Sequence, residues 1–484
     1  MIDGTERNSA GAAAVGAEAV PGVGAVTGGE AAMGGEAAVA ADAVAGSNAV
    51  AGAEAAMPTE AVTGGEAAMG GNAVVGAEAA MPTEAVTAQL KLLAAEIEPY
   101  VIEMRRHFHA HPELSGQEVE TAKRIAAELG ALGVEHRFVA DTGIIATIRG
   151  SAPDAYGADG KPRRRIALRA DMDALPVLEE TGVPFASRNE GVMHACGHDC
   201  HMAMMLGTVR LLLSIRQQLR GEVRIIFQPA EEISIGSRKM IEAGALEGVD
   251  TIFASHIWSE VDAGAVSVEP GPRMANCDWF RVDIAGSGAH GAMPHKGIDA
   301  VVVGAAIVEA LQVVVSRDVS PFDPAVVTVG EFHAGTARNV MAGSAYLTGT
   351  VRSFTPEVRA YLQDRMAHIV EETAASFGAT AQFTWEFGNS CLVNDAACAA
   401  RAQASVAKVL GEQALCHYEG TLSGEDFSEY LAFVPGALAF IGTRNPEVGA
   451  SFPQHSCYYT VDESVLIGGS LAAAQYAYDF LAEE

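Results

Sequence analysis

The chain has 484 residues, 49% of them hydrophobic, and a formal net charge of -30. That is long enough for two or three domains with sizeable cores, and so acidic that a nucleic-acid partner is excluded, because neutralising phosphates needs basic patches. Seven scattered cysteines, an odd number, do not read as a disulfide framework. Residues 1–6 lack the basic stretch and apolar core of an export signal. No run of about 18 apolar residues free of charge and glycine occurs, so a cytoplasmic protein without membrane contact is expected.

Residues 1–87 consist of Ala, Gly, Val and Glu with little else; aromatic residues are absent and Arg7 is the only basic one. Residues 52–63 recur unchanged at 76–87, and 27–35 return at 63–71. The copies are irregularly spaced and hold too few large apolar residues to stack a solenoid core. A flexible low-complexity tail is expected over 1–87, with the folded protein starting at Ala88.

The spacing of apolar residues predicts a helix over 89–98, which Pro99 interrupts or offsets before it continues over 100–109. His107, His109 and His111 could serve a metal or simply favour a helix C-terminus. A helix over 121–129 precedes strands at 143–148 and 166–168, and the latter runs into Asp171 and Asp173. Carboxylates at a strand's carboxyl end stand where open α/β sheets place ligands. Asp171 and Asp173 could bind metal directly, hold a ligand histidine from behind, or cap a helix.

Next comes Met193-His194-Ala195-Cys196-Gly197-His198-Asp199-Cys200-His201. With Cys196 and His198 two apart, one metal could take thiolate and imidazole together in an extended or turn conformation. A helix is expected over 202–219. Residues 222–227 form a nearly continuous apolar strand, as a buried parallel strand should, and deliver Glu231 and Glu232. Adjacent glutamates there point in different directions, so one can bind metal while its neighbour acts as general base on a water; alternatively they are a solvated pair. After a helix at 236–243, the strand at 251–255 ends at His256. Three strand ends therefore present Asp171/Asp173, Glu231/Glu232 and His256, which together suggest an active site.

These stretches resemble the M20 metallopeptidase superfamily, specifically its amidohydrolase branch of hippurate hydrolases, auxin-conjugate hydrolases and N-acyl-amino-acid amidohydrolases. The similarity is carried by 111–114, 169–176, 193–201 and 228–232, and later by 288–295, 336–340, 349–352, 424–427 and His455. These lie in family order from about residue 100 onward. The resemblance implies two divalent metal ions (zinc, manganese, cobalt or nickel) held by Cys196, His198, Glu232, His256 and His455, with Glu231 as general base. His455 sits in what otherwise looks like a polar loop. The implied reaction is hydrolysis of the amide of an N-acyl amino acid such as a hippurate. Other activities of the superfamily are its neighbours: dipeptidase, aminobenzoyl-glutamate hydrolase or N-acetyl-diaminopimelate deacetylase. A non-catalytic metal-binding or surface-interaction protein is a separate possibility.

Further on, strands at 278–286, 326–332, 345–353 and 379–387 alternate with helices at 300–314 and 357–377. This β-α-β-β-α-β order resembles a small ferredoxin-like domain. The fold class is thus α/β: a mixed-sheet catalytic domain from 88–274 and 388–484, with a lid and dimerisation domain inserted at 275–387. In the family, a histidine matching His290 reaches a neighbouring active site and stabilises the developing oxyanion, while Asn339 and Arg352 match positions that hold the substrate carboxylate. As bare residues, His290 could equally cap a loop, Arg352 form a structural ion pair and Asn339 make a turn. A homodimer or higher homo-oligomer is implied, acting on a small-molecule N-acyl amino acid or short peptide. The chain returns through a helix at 395–410, a helix start at 424–426, a strand at 438–442 leading towards His455, and a closing helix at 464–481.

Overall fold

The structure is a computed structural model that describes residues 82–483; the repeats up to residue 81 lie outside the described residues. The chain enters through α1 (Thr83–Ala110) and α2 (Val119–Ala131), then lays down β1 (Glu135–Val139), β2 (Gly143–Arg149) and β3 (Arg165–Asp171) before α3 (His198–Ser214). β4 (Glu222–Gln228), α4 (Gly236–Glu242) and β5 (Thr251–Asp262) follow, with two short strands, β6 (Val266–Ser267) and β7 (Gly271–Met274). The inserted segment holds β8 (Asp278–Ala285), β9 (Ala289–His290), α5 (Ala300–Val313), β10 (Ala325–Ala334), β11 (Val340–Met341), β12 (Ser344–Ser353), α6 (Pro356–Ser376) and β13 (Thr380–Glu386). The return consists of β14 (Leu392–Asn394), α7 (Ala396–Leu410), α8 (Ser428–Leu431), β15 (Gly436–Arg444) and α9 (Leu466–Ala482).

α1 starts at Thr83, ahead of the expected boundary at 88, and runs unbroken through Pro99. Val86, Leu90 and Ala94, and then Val101, Met104 and Phe108, recur at helical spacing and are buried, so packing holds together a helix that Pro99 would otherwise weaken. The large sheet has the order β1-β2-β4-β3-β5-β15-β6. Its centre, β4-β3-β5-β15, is parallel, and β1, β2 and β6 pair antiparallel at the edges. Alternation along each strand divides its side chains between two cores. Ile144, Leu168, Ile225 and Phe253 face the layer of α1, α3, α7 and α9, while Ile145, Ala167, Ile226 and Ile252 face the opposite layer with Phe427 and Tyr430.

The inserted segment folds as a four-stranded sheet in the order β10-β12-β8-β13, antiparallel throughout. α5 and α6 cover one face over their own core, including Phe280, Val282, Ile307, Leu347 and Met366. Asp299 and Thr355 accept the first free amides of these helices, from Val301 N and Val358 N. With the π turn that follows it, α5 spans Ala300–Asp318 and meets the length and composition of a membrane span, at a mean hydropathy of 1.8. Gly304 and Glu309 interrupt it at the level of sequence, and the helix buries one face on the small sheet.

Two chain crossings join the small sheet to the large one, and they run side by side. Cys277 N donates to Asn389 O at 3.1 Å. Next to them the buried Asp278 carboxylate accepts from Gly388 N at 3.0 Å, Asn276 Nδ2 at 2.7 Å, and Arg359 Nε and Nη2, both at 2.6 Å.

Candidate metal centre

The carboxyl ends of β3, β4 and β5 converge, as parallel neighbours in register must. Beyond β4, Ala230 adopts a left-handed φ of 54°, which turns the chain so that Glu231 and Glu232 leave the strand end on different sides. His455 is also left-handed, at φ 66°. A non-glycine residue held this way costs of order 1–3 kcal/mol and is a recognised mark of a functional site. Gly197, at φ 98°, forms the bend between Cys196 and α3. A Cβ there would be strained at this φ and would lie 2.2 Å from Ile257 Cδ1, so any other residue forces Ile257 to move.

Around this turn the donor atoms gather. Those of Cys196, His198 and His256 lie within 4.8 Å of one another, as do those of Cys196, Glu232 and His455. Cys196 Sγ is 3.7 Å from His256 Nε2, His198 Nε2 is 3.8 Å from Glu232 Oε1, and Glu232 Oε2 is 3.6 Å from His455 Nε2. The carboxylate of Glu232 thus faces two groups of donors. The histidines are held from behind. His198 Nδ1 lies 2.9 Å from Asp173 O, and His256 Nδ1 lies 2.6 Å from Ile257 O; each ring therefore donates there and turns the Nε2 lone pair inward.

Asp173 accepts from Ser115 Oγ at 2.7 Å and Glu232 N at 3.0 Å, so it orients a histidine and a glutamate together. Asp171 accepts from Arg169 Nη1 at 2.6 Å and meets His201 Nδ1 at 2.5 Å. His201 Nε2 in turn accepts from Ile257 N at 2.9 Å, which occupies both its nitrogens. Cys200 packs in the core, and His194 is buried with no hydrogen-bond partner for either ring nitrogen among the described residues.

The electrostatics favour cations. Burial opposes charge on His198, but Asp171, Asp173 and Glu232 outweigh it and raise its pKa to about 10, so that without a metal Nε2 carries a proton that a bound cation would displace. Burial lifts Glu232 to about 7. Burial, with Glu425, Asp426 and Glu232, pushes Glu231 well above the usual carboxylate range. Burial, with Glu232 and Glu231, does the same to the Cys196 thiol. His198 Nε2 and Glu232 Oε1 are buried without hydrogen-bond partners among the described residues. Soft and hard donors converging with unspent lone pairs in a pocket of excess negative charge fit divalent ions.

The cluster floors a cleft of about 440 Å³, which Trp258, Glu260, Met274, Cys277 and Gln454 also line. His290, Asn339 and Arg352 are not among its walls. His290 and Asn339 are exposed on the inserted segment, joined by the bond from Gly291 N to Asn339 O at 2.9 Å. Arg352 Nη1 donates to Val351 O at 3.0 Å and Asp278 O at 3.3 Å; burial pushes the nearby Cys277 thiol up, which the Arg352 charge offsets only in part. Sequence reasoning missed the support behind the cluster. Buried Arg169 bonds Glu425 and Asp426 at 2.9 Å each, and Gln228 Oε1 at 2.9 Å. An arginine among the apolar residues at 166–170 was the signal, since a buried charge requires partners.

Residues 167–477 match the family model described as Peptidase family M20/M25/M40. The chain is 39% identical over 398 residues to "Thermostable carboxypeptidase 1" of Saccharolobus solfataricus, covering 81% of this chain and 98% of that protein. It is 42% identical over 308 residues to "N-acyl-L-amino acid amidohydrolase" of Geobacillus stearothermophilus, covering 63% and 81%. Among solved structures it is similar to the Bacillus subtilis YXEP protein, described as a dinuclear metal binding peptidase from the M20 family. The TM-score is 0.70 and the identity 37%, with 80% of this chain and 99% of that chain covered.

Proposed function

This chain belongs to peptidase family M20/M25/M40, and on that premise we propose that it cleaves the amide bond of N-acyl amino acids, with Cys196, His198, Glu232, His256 and His455 holding two divalent ions and Glu231 acting as general base. The protein is a metal-dependent amidohydrolase. The convergence of thiolate, imidazole and carboxylate donors beside Glu231 carries the assignment of residues. The donor set suits zinc through its thiolate, and manganese, cobalt or nickel through its imidazoles and carboxylates.

Divalent ions held there would supply a Lewis acid that polarises the amide carbonyl and acidifies a water, and their positive charge would draw the Glu231 carboxyl to the ionised form a base needs. Glu231 takes the proton of the water whose oxygen attacks the carbonyl carbon, then returns it to the leaving amine as the C–N bond breaks. Its Oε1 accepts from Asp426 N at 3.2 Å, which orients the carboxylate and leaves the second oxygen for the water. Asp171 and Asp173 keep the ligand shell in place. The segment at 275–387 acts as lid and dimerisation domain on the catalytic domain at 88–274 and 388–484. The exposed His290 and Asn339 serve the site of a second copy, His290 on the developing oxyanion and Asn339, with Arg352, on the substrate carboxylate. A homodimer or higher homo-oligomer is the working form.

Glu231→Gln tests the base. Elemental analysis should find the metal retained, while turnover of a hippurate falls by about 10²–10⁴-fold; undiminished hydrolysis would mean that another group takes the proton. The similarity to a carboxypeptidase supports a second reading, in which the acyl group is itself a peptide. N-benzoyl and N-acetyl amino acids assayed against dipeptides, with several divalent metals, separate the two.

A further inference from the structure

We infer that Glu260 selects the charge of the acyl group, favouring neutral or cationic acyl ends over anionic ones, a preference that presupposes the amidohydrolase reading above. β5 carries His256 into the donor cluster and then brings Trp258 and Glu260 to the wall of the same cleft. The rings of His256 and Trp258 meet edge to face at 5.4 Å, and Tyr418 lies 6.1 Å from Trp258. Tyr418 Oη donates to Glu260 Oε2 at 2.5 Å. An aromatic wall therefore leads from the cluster to a tethered carboxylate. Burial holds the Tyr418 hydroxyl at about 12, so it stays a donor through the neutral range.

Glu260 is four residues beyond His256, at most about 13 Å along an extended strand. An acyl chain of a few carbons, held by its carbonyl at the cluster, brings its far end into the field of that carboxylate. None of the described residues lining the cleft is a lysine or arginine; of its other carboxylates, Glu231 and Glu232 face the ions and Glu425 bonds Arg169 at 2.9 Å, which leaves Glu260 as the one on this wall without a cation beside it. The buried Arg273 behind Tyr418 is committed to Tyr418 O, Ser267 Oγ and Glu269 Oε2 at 2.5, 3.0 and 3.2 Å. With the amino-acid carboxylate on Arg352, the acyl end is the free end that this wall receives. Repulsion of the wrong substrate is a common source of specificity, and a carboxylate beyond the aromatic wall supplies it against an anionic acyl end.

The test uses N-butyryl, N-succinyl and N-(4-aminobutyryl) derivatives of one amino acid, whose acyl chains match in length and differ in end charge, assayed on the full-length, metal-loaded enzyme. The succinyl-to-butyryl ratio of kcat/KM should be well below one and the aminobutyryl-to-butyryl ratio at or above one. Glu260→Gln should raise the succinyl ratio by about tenfold, equivalent to about 1.4 kcal/mol, and Glu260→Lys should raise it further and reverse the cationic preference. Each ratio is taken within one enzyme, so a general loss of activity does not imitate the effect. Ratios that shift by less than about twofold in both variants, while N-butyryl substrate is still cleaved, would overturn the role of Glu260 and leave the amidohydrolase reading standing. If a variant is too slow to assay, calorimetric binding of free butyrate and succinate gives the same comparison, and an unchanged affinity ratio overturns the role equally. A wild type that cleaves none of the three overturns the amidohydrolase reading, and this preference with it.

Discussion

Glu231 and Glu232 are neighbours in the chain, and their carboxylates turn to different partners. Glu231 Oε1 turns to Asp426 N, while the oxygens of Glu232 face His198 and His455. That they diverge was legible from their place at a strand end; what each one meets was not, because Asp426 and His455 come from segments about 200 residues further on. His109 shows the same limit. Its sequence context allowed a metal ligand or a helix-end histidine, and the structure places it 2.8 Å from Asp199 Oδ2 and 3.2 Å from Glu179 Oε1. Burial and Arg105 oppose its charge, but the two carboxylates outweigh them and raise its pKa. A raised folded-state pKa gives stability that is fully present below the ordinary value of about 6.5 and is lost as pH rises through the folded value. His109→Gln should therefore lower Tm most near pH 5.5, by the loss of hydrogen bonds to charged groups worth about 1.5–3 kcal/mol each. The gap to wild type should narrow on the alkaline side in calorimetric scans; a gap independent of pH would assign His109 a packing role only.

Among the elements, type was read more reliably than extent. α3 begins at His198 and not at 202, because Gly197 makes its bend inside the motif and leaves His198 in the first helical turn. β5 runs to Asp262, well past His256, since β15 pairs alongside it, a partner more than 170 residues away that no local pattern reveals. β1 carries too little apolar alternation to be seen alone and forms only as the antiparallel edge of β2. Gly197→Ala tests the bend. It adds αL strain of about 1–2 kcal/mol to a contact of 2.2 Å with Ile257 Cδ1. Both Tm and bound metal should fall. Gly191→Ala, also left-handed at φ 79° but with nothing within 4 Å of a Cβ, should cost the strain alone and leave metal content intact. Equal metal loss in both variants would separate the bend from the site.

For the whole molecule, the α/β class and the order of segments could be read from the chain. The convergence of His455 on Glu232 could be expected only through resemblance, because its loop carries no local signal. The assembly makes a distinct demand. If the exposed His290 serves a second copy, Glu231→Gln and His290→Ala proteins, each impaired alone, should regain roughly a quarter of wild-type activity when subunits are exchanged, since random pairing puts half the dimers into hybrids with one intact site. Activity no higher than the average of the separate proteins would mean that each chain completes its own site. The paired crossings bear on how the chain folds. Cys277 N and Asn389 O are bonded at 3.1 Å, so the segment between them is, to the large sheet, a loop of roughly a hundred residues with touching ends. Holding the ends of such a loop together while it is unfolded costs, relative to a tight turn, about 3–4 kcal/mol of chain entropy. Once the small sheet has formed and its own pairing has brought Asp278 and Gly388 together, that entropy is already spent. The two halves of the large sheet then meet as if joined by a short turn, which favours a route in which the inserted sheet folds first.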